Sequence, residues 1–246
     1  MSDIENFNKE RLSSIRALHA RDDLTRQANG LFREMTRSRY MYNFDWLGLP
    51  IIQMPQDILA AQELIWRVRP GAIVETGVAR GGSVIFSASM LQLLDGDGIV
   101  VGIDIEIRPH NRAAVEEHPL SRRVRLVEGS SVDPSVHDQV RRHVGSRGPV
   151  MVFLDSNHTH EHVLAELRLY SSFVGRGSYM IVYDSVIDRL PAEDSAGRPW
   201  GPGNNPRTAV HAFLAENDRF EIDRDVEGKL LLTCCPDGFL HCRRDP

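Results

Sequence analysis

Residues 72–83 read Ala72-Ile-Val-Glu-Thr-Gly-Val-Ala-Arg-Gly-Gly-Ser83, and the way this stretch must run sets the architecture of the chain around it. Ala72 to Glu75 have strand character and pass into a glycine-containing turn, after which Gly81 and Gly82 open an apolar helix. A strand that turns sharply into a helix gathers free backbone N–H groups and the positive end of the helix dipole at one spot. Glycines there leave the backbone open to a ligand. The spacing is Glu-x-Gly-x-x-x-Gly-Gly, unlike the Gly-x-Gly-x-x-Gly of a dinucleotide fold. The Glu75 carboxylate would repel a pyrophosphate, whereas it suits a ligand carrying an ammonium or sulfonium, such as S-adenosylmethionine. A tight turn without a ligand is the plainer alternative, so the rest of the chain has to decide.

Working outward, strand-like runs follow at residues 99–103, 124–127, 150–154 and 179–182, with helical patterns at 83–94, 111–118, 134–144 and 160–174. Continuous apolar strands alternating with amphipathic helices predict a parallel sheet covered on both faces. Beyond a helix at 206–216, residues 220–224 and 229–234 flank a Glu227-Gly228 turn and predict an antiparallel hairpin at the sheet edge. The expected fold is therefore α/β: a Rossmann-like methyltransferase sheet of five parallel strands plus a C-terminal antiparallel hairpin. Upstream, residues 1–40 carry apolar positions at roughly helical intervals, and an aromatic loop covers 40–50. This divides the chain into a helical arm with its loop, 1–54, and a methyltransferase domain, 55–246. The arm is expected to bury surface between subunits of a homo-oligomer.

Composition excludes several classes. The 246 residues carry a net charge of -5, so no basic excess is available to track nucleic-acid phosphates. No apolar run is long enough to span a bilayer, and no signal-peptide pattern opens the chain, which places the expected protein in the cytoplasm. The cysteines, Cys234, Cys235 and Cys242, fall in the expected last-strand region. Neighbouring Cys234 and Cys235 would face opposite sides of a strand, so they read as reduced packing residues.

In an open parallel sheet the ligand crevice lies at the carboxyl ends of the strands. The second strand ends in Asp104, suited to two ribose hydroxyls. The third runs into Glu128-Gly-Ser-Ser-Val-Asp133, where Ser130 and Ser131 either contact an adenine edge or belong to a helix cap before Pro134. The fourth ends in Asp155-Ser-Asn-His158, with His160 and His162 following, and the fifth in Tyr183-Asp184. Carboxylates at neighbouring strand ends converge, which is costly unless a cation lies between them, and Mg²⁺ would resolve that cost. His158 is the best-placed general base, while His160 and His162 read as residues decorating a helix start. A two-histidine, one-carboxylate iron site stays open as a second use of this cluster. The long unpatterned stretch from Ser185 to Pro206, with Trp200 inside it, reads as a lid over an acceptor.

With these motifs assembled, the chain resembles the cephalosporin hydroxylase/rhamnosyl O-methyltransferase family, from about Phe44 to near the C-terminus. The likeness rests on Trp46-Leu-Gly-Leu-Pro-Ile-Ile-Gln-Met-Pro-Gln-Asp57, Glu75-Thr-Gly-Val-Ala-Arg-Gly-Gly-Ser83, Gly102-Ile-Asp104, Leu154-Asp-Ser-Asn-His158, Tyr183-Asp184 and Gly201-Pro-Gly203. It implies S-adenosylmethionine as cofactor, a divalent metal and a multimeric assembly. By position, Asp155 and Asp184 match the family's metal-binding carboxylates. Two positions depart from the pattern: Tyr183 stands where an acid is usual, and Asn157 where aspartate is frequent.

The resulting expectation is an O-methyltransferase acting on a hydroxyl of a glycosylated natural product in antibiotic-type biosynthesis, with a deoxysugar such as a rhamnosyl unit as acceptor. Its cofactor set is Glu75, Gly77, Arg80, Gly81, Gly82, Ser83, Asp104, Ser130, Ser131 and Asp155. Catalysis falls to His158 and Asp155, with Mg²⁺ on Asp155 and Asp184. The alternatives are an iron-dependent hydroxylase of the same kind of pathway and a cofactor-binding accessory protein without chemistry of its own.

Overall fold

A computed structural model describes residues 2–246. The arm forms α1 (Asp3–His19), started by a capping box between Ser2 and Glu5, and α2 (Asp22–Arg37). A turn of 3₁₀-helix at Tyr40–Asn43 leads into a two-strand ribbon, β1 (Asp45–Trp46) against β2 (Leu49–Pro50), and then α3 (Pro55–Val68), with proline in its first turn. The alternating region follows as β3 (Ala72–Thr76), α4 (Gly82–Leu93), β4 (Ile99–Asp104), α5 (Pro109–Glu116), β5 (Val124–Glu128), α6 (Pro134–Val144), β6 (Val150–Leu154), α7 (His160–Tyr170) and β7 (Tyr179–Val182). The tail holds α8 (Pro206–Glu216), β8 (Phe220–Ile222), the single-turn α9 (Arg224–Glu227) and β9 (Phe239–Cys242).

The main sheet runs β5-β4-β3-β6-β7-β9-β8, and β3 lies between β4 and β6, all mutually parallel. The chain therefore leaves β3 to one side first and returns to the other, and the crevice opens where that direction reverses. β3, β6 and β7 are buried along their whole length, as strands covered on both faces must be. One core lies under α3 and α4, the other under α6, α7 and α8.

The sheet edge differs from the expected hairpin. β8 forms, but its partner is β9, which inserts antiparallel between β7 and β8. Residues 229–234 make no strand. The cause is tertiary: the Asp57 carboxylate on α3 takes the Thr233 hydroxyl and the Cys234 N–H, which holds this stretch against the helix instead of in a ladder. Cys234 and Cys235 consequently lie in an irregular segment, with only Cys242 in a strand; all three are free and buried.

The arm is unevenly attached. α1 buries no residue, and its Arg16 pairs with Asp225. α2 buries Ala28 and Phe32, and its Arg33 and Arg37 both grip Asp194 in the stretch after β7. That stretch is ordered by this clamp and by the Asn205 amide donating to Asp188. No helix among the described residues is long and apolar enough to cross a membrane.

Candidate active site

The loop between β3 and α4 is shaped by contacts on three sides. Gly77 has φ +93°, and a Cβ there would lie 2.0 Å from the Asp155 carbonyl oxygen, so only glycine lets the ends of β3 and β6 approach. Asp104 reaches across from β4, and its Oδ2 accepts from the N–H groups of Val78 at 2.9 Å and Ala79 at 3.0 Å. Gly81 and Gly82 also have a packing role. A Cβ on Gly81 would meet the Val115 side chain at 2.4 Å, and one on Gly82 the Pro50 carbonyl at 2.3 Å. Their bareness lets α5 and the β2 segment pack against the loop, so a larger side chain there disturbs the fold as well as any ligand.

A cavity of about 490 Å³ opens at these strand ends and is lined by Gly77, Asp104, Ser130, Ser131, Asp155 and His162 among others. A smaller recess of about 40 Å³ adjoins it, between residues 50–53 and the loop, and is lined by Arg80, Gly82, Ser83, Gly77 and Asp155. Of the ten expected cofactor residues, Gly77, Asp104, Ser130, Ser131 and Asp155 line the cavity and Arg80, Gly82 and Ser83 the recess. Glu75 and Gly81 reach neither wall. Glu75 is 2% exposed and held behind them by the hydroxyls of Ser83 and Ser87. The two readings of the β5 loop divide between neighbours: Asp133 caps α6 by accepting from the Ser135 N–H at 2.7 Å, while Ser130 and Ser131 face the cavity.

Burial pushes the Glu75 carboxyl up to about 7, with the two serine hydroxyls opposing the shift. A carboxylate whose folded pKa lies above its unfolded value holds its proton more tightly when folded. Its contribution to stability is full below the ordinary glutamate range and is lost as pH rises toward 7. Glu75→Gln removes that loss. The variant is expected to gain on wild type by about 1.4 kcal/mol per pH unit between pH 5 and 7, measured as the difference of two denaturant-unfolding series. A difference that stays flat over this window contradicts the placement of Glu75 in a dry core.

Asp155, His158 and Asp184 converge at the ends of β6 and β7, each offering an atom within 4.8 Å of the others. His158 Nε2 lies 3.1 Å from Asp184 Oδ2, and Trp200 meets the imidazole edge-on with ring centroids 4.9 Å apart. The Asp155 carboxyl is driven well above the usual range, first by withdrawal from water and then by the charges of Asp184 and Glu75. Converging oxygens and one imidazole nitrogen, with like charge between the carboxylates, form a donor set that fits a divalent cation.

The neighbouring histidines go elsewhere. His160 Nδ1 meets the Thr208 hydroxyl at 2.8 Å, tying α7 to α8. His162 Nε2 meets Ser131 at 3.0 Å and Ser156 at 3.3 Å, near the fully buried Glu166. Among the described residues a two-histidine, one-carboxylate iron set is therefore not assembled, because His158 alone of the histidines joins the carboxylates. The two departing positions add no ligand. Tyr183 is 3% exposed and packs into the core under α3 and α4, and Asn157 uses its Oδ1 to accept from Thr159 at the start of α7. His162, expected from the sequence to decorate a helix start, forms part of the cavity wall. Its helical spacing to Glu166, four residues on, was the available signal.

Comparison with known proteins gives one consistent picture. The family model Rhamnosyl O-methyltransferase/CmcI matches residues 38–243. Rhamnosyl O-methyltransferase of Mycobacterium bovis (strain BCG / Pasteur 1173P2) is 30% identical over 201 residues, covering 79% of this chain and 76% of the relative. The protein of the same name from Mycobacterium leprae (strain TN) is 28% identical over 199 residues, covering 79% and 81%. Among solved structures, one described as "cmcI-D160 Mg-SAM" superposes with a TM-score of 0.58 at 20% identity, covering 82% of this chain and 77% of that one. The last likeness bears on the fold: both chains build the same mainly parallel sheet.

Proposed function

This chain belongs to the rhamnosyl O-methyltransferase/CmcI family of S-adenosylmethionine-dependent O-methyltransferases, and from that premise we propose that it methylates a sugar hydroxyl, a rhamnosyl unit or similar deoxysugar on a natural product. The observation that carries the reading is the placement of Asp155. It forms part of the wall of the cavity and of the adjoining recess, and it stands beside His158 and Asp184.

In this reading the adenosine part of the cofactor fills the larger cavity, with its ribose at Asp104 and its base near Ser131 and His162. The methionine part enters the recess beside Ser83 and Arg80. The methyl carbon then points toward the ends of β6 and β7. A sugar hydroxyl is a weak acid, so it needs help to attack. His158 takes the proton as the acceptor oxygen bonds to the methyl carbon and the carbon–sulfur bond breaks, with the bonding pair leaving on sulfur. The products are a methyl ether, S-adenosylhomocysteine and a protonated imidazole. Asp184, at His158 Nε2, orients the ring and leaves Nδ1 free for that proton. A divalent ion would be held by Asp155 and Asp184 and would supply charge neutralisation and polarisation of the acceptor hydroxyl. Most of the rate enhancement then comes from alignment of oxygen, carbon and sulfur. Trp200, with Arg198 above its ring, offers the acceptor a flat apolar surface next to His158.

The test is direct. With labelled S-adenosylmethionine and a rhamnosylated acceptor, the expected product is heavier by one methyl group, formed with and without oxygen. Asp104→Ala is expected to weaken S-adenosylhomocysteine binding roughly 10- to 150-fold, the range for losing a hydrogen bond to a charged group. Calorimetry showing no cofactor binding by the wild-type chain would sink the reading.

A further inference from the structure

Asp57 is a carboxylate 1% exposed in the first turn of α3, and its partners are a hydroxyl and a backbone amide. Oδ1 accepts from the Thr233 hydroxyl at 2.5 Å and Oδ2 from the Cys234 N–H at 2.7 Å. Thr233 Oγ1 in turn accepts from the Cys235 N–H at 2.9 Å. The far side of this same segment holds the backbone that leaves β7. The Cys234 carbonyl accepts from the Val186 N–H at 3.1 Å, and the Ser185 hydroxyl donates to the Pro236 carbonyl at 2.7 Å.

Ser185 and Val186 directly follow Asp184, whose φ is +55°. Aspartate enters that left-handed region more readily than most residues, and here the hydrogen bonds on the two residues that follow hold the backbone in it. A charge buried without a cationic partner is expensive, and asparagine would fill the same space at lower cost. Two donors arrive at Asp57, however, and an asparagine amide offers only one acceptor atom. The carboxylate is the group that satisfies both.

We propose that Asp57 is a positioning residue of the catalytic centre: through residues 233–236 it locks the backbone after β7, so that Asp184 is presented to His158 and Asp155. The inference rests on the reading of Asp184 as part of that centre. Asp57 lines neither the cavity nor the recess and acts through this relay, and the uncharged Thr233 variants separate the relay from the direct charge interaction between Asp57 and Asp184.

The test combines three measurements on wild type, Asp57→Asn, Thr233→Val and Thr233→Ser. In Asp57→Asn and Thr233→Val, amide hydrogen exchange across residues 183–190 is expected to quicken at least tenfold, while α4 exchanges as in wild type. Turnover should fall about 10- to 100-fold, as it does when a partner that orients a reacting group is lost. S-adenosylhomocysteine affinity should stay within twofold of wild type. Thr233→Ser keeps the hydroxyl and should retain most of the turnover. Unchanged exchange at 183–190 overturns the proposal, and so does faster exchange with full turnover. Loss of cofactor affinity together with faster exchange everywhere also overturns it, since that pattern belongs to general damage. If Asp57→Asn does not fold, the Thr233 pair decides, because a Thr233→Val chain with native exchange and turnover breaks the relay. The exchange measurement needs no cofactor, so a wild-type chain inactive with S-adenosylmethionine counts against the functional reading and leaves the relay judged by its own result.

Discussion

Alanine in place of His158 is expected to lower turnover roughly 10²–10⁴-fold, the usual share of a general base, with S-adenosylhomocysteine affinity nearly unchanged. The separation follows from geometry. His158 stands with Asp184 and Trp200 beyond the strand ends, whereas the wall of the cavity proposed for the cofactor is built by the β3 loop, Asp104, the β5 loop, residues 155–157 and His162, without His158. Removing the imidazole therefore leaves the cavity in place. Asp155→Asn should act on both sides, since Asp155 forms part of the cavity wall and also faces Asp184. Chelator titration distinguishes the sources of catalysis. Full activity in EDTA with an inactive His158→Ala chain means base catalysis alone. Activity lost in EDTA and restored by Mg²⁺ means that Asp155 and Asp184 hold an ion the reaction uses. Full activity in chelator and in His158→Ala would place the chemistry elsewhere.

Valine at Gly77 is the second large effect. Its Cβ would lie 2.0 Å from the oxygen and 2.7 Å from the carbon of the Asp155 carbonyl, and backbone atoms cannot rotate out of the way as a side-chain tip can. The φ of +93° adds strain for any L-residue. β3 and β6 are paired up to Thr76 and Leu154, one residue before this contact, so relief requires parting two central strands at their ends. The expected cost is more than about 4 kcal/mol in denaturant unfolding, or a folded chain with Asp155 displaced and no cofactor binding. Gly48 is the control. It has φ +91° but nothing within 4 Å of a would-be Cβ, so Gly48→Ala should cost only about 1–2 kcal/mol, the strain of a left-handed residue. Equal costs at the two positions would show that close approach contributes nothing at Gly77.

What the sequence determined by itself was the order of elements and the ends of the central strands. Apolar runs separated by amphipathic helices are local patterns, and a parallel sheet places the residue after each strand on the same edge. For that reason Asp104, Asp155 and Asp184 could be assigned to one crevice before any contact was known. Tertiary structure alone decided which of two apolar stretches in the tail became a strand. Leu230-Leu-Leu has the composition of one, yet 229–234 is held by a carboxylate 176 positions away in the chain, and Phe239–Cys242 takes the place beside β7. The same holds for His162, which joins the cavity because Ser131 and Ser156 come to meet it, and for Gly81 and Gly82, which are bare to admit Val115 and Pro50. Periodicity records which face of an element is apolar; the atom that arrives at that face is chosen by packing between distant segments, and no local pattern carries that information.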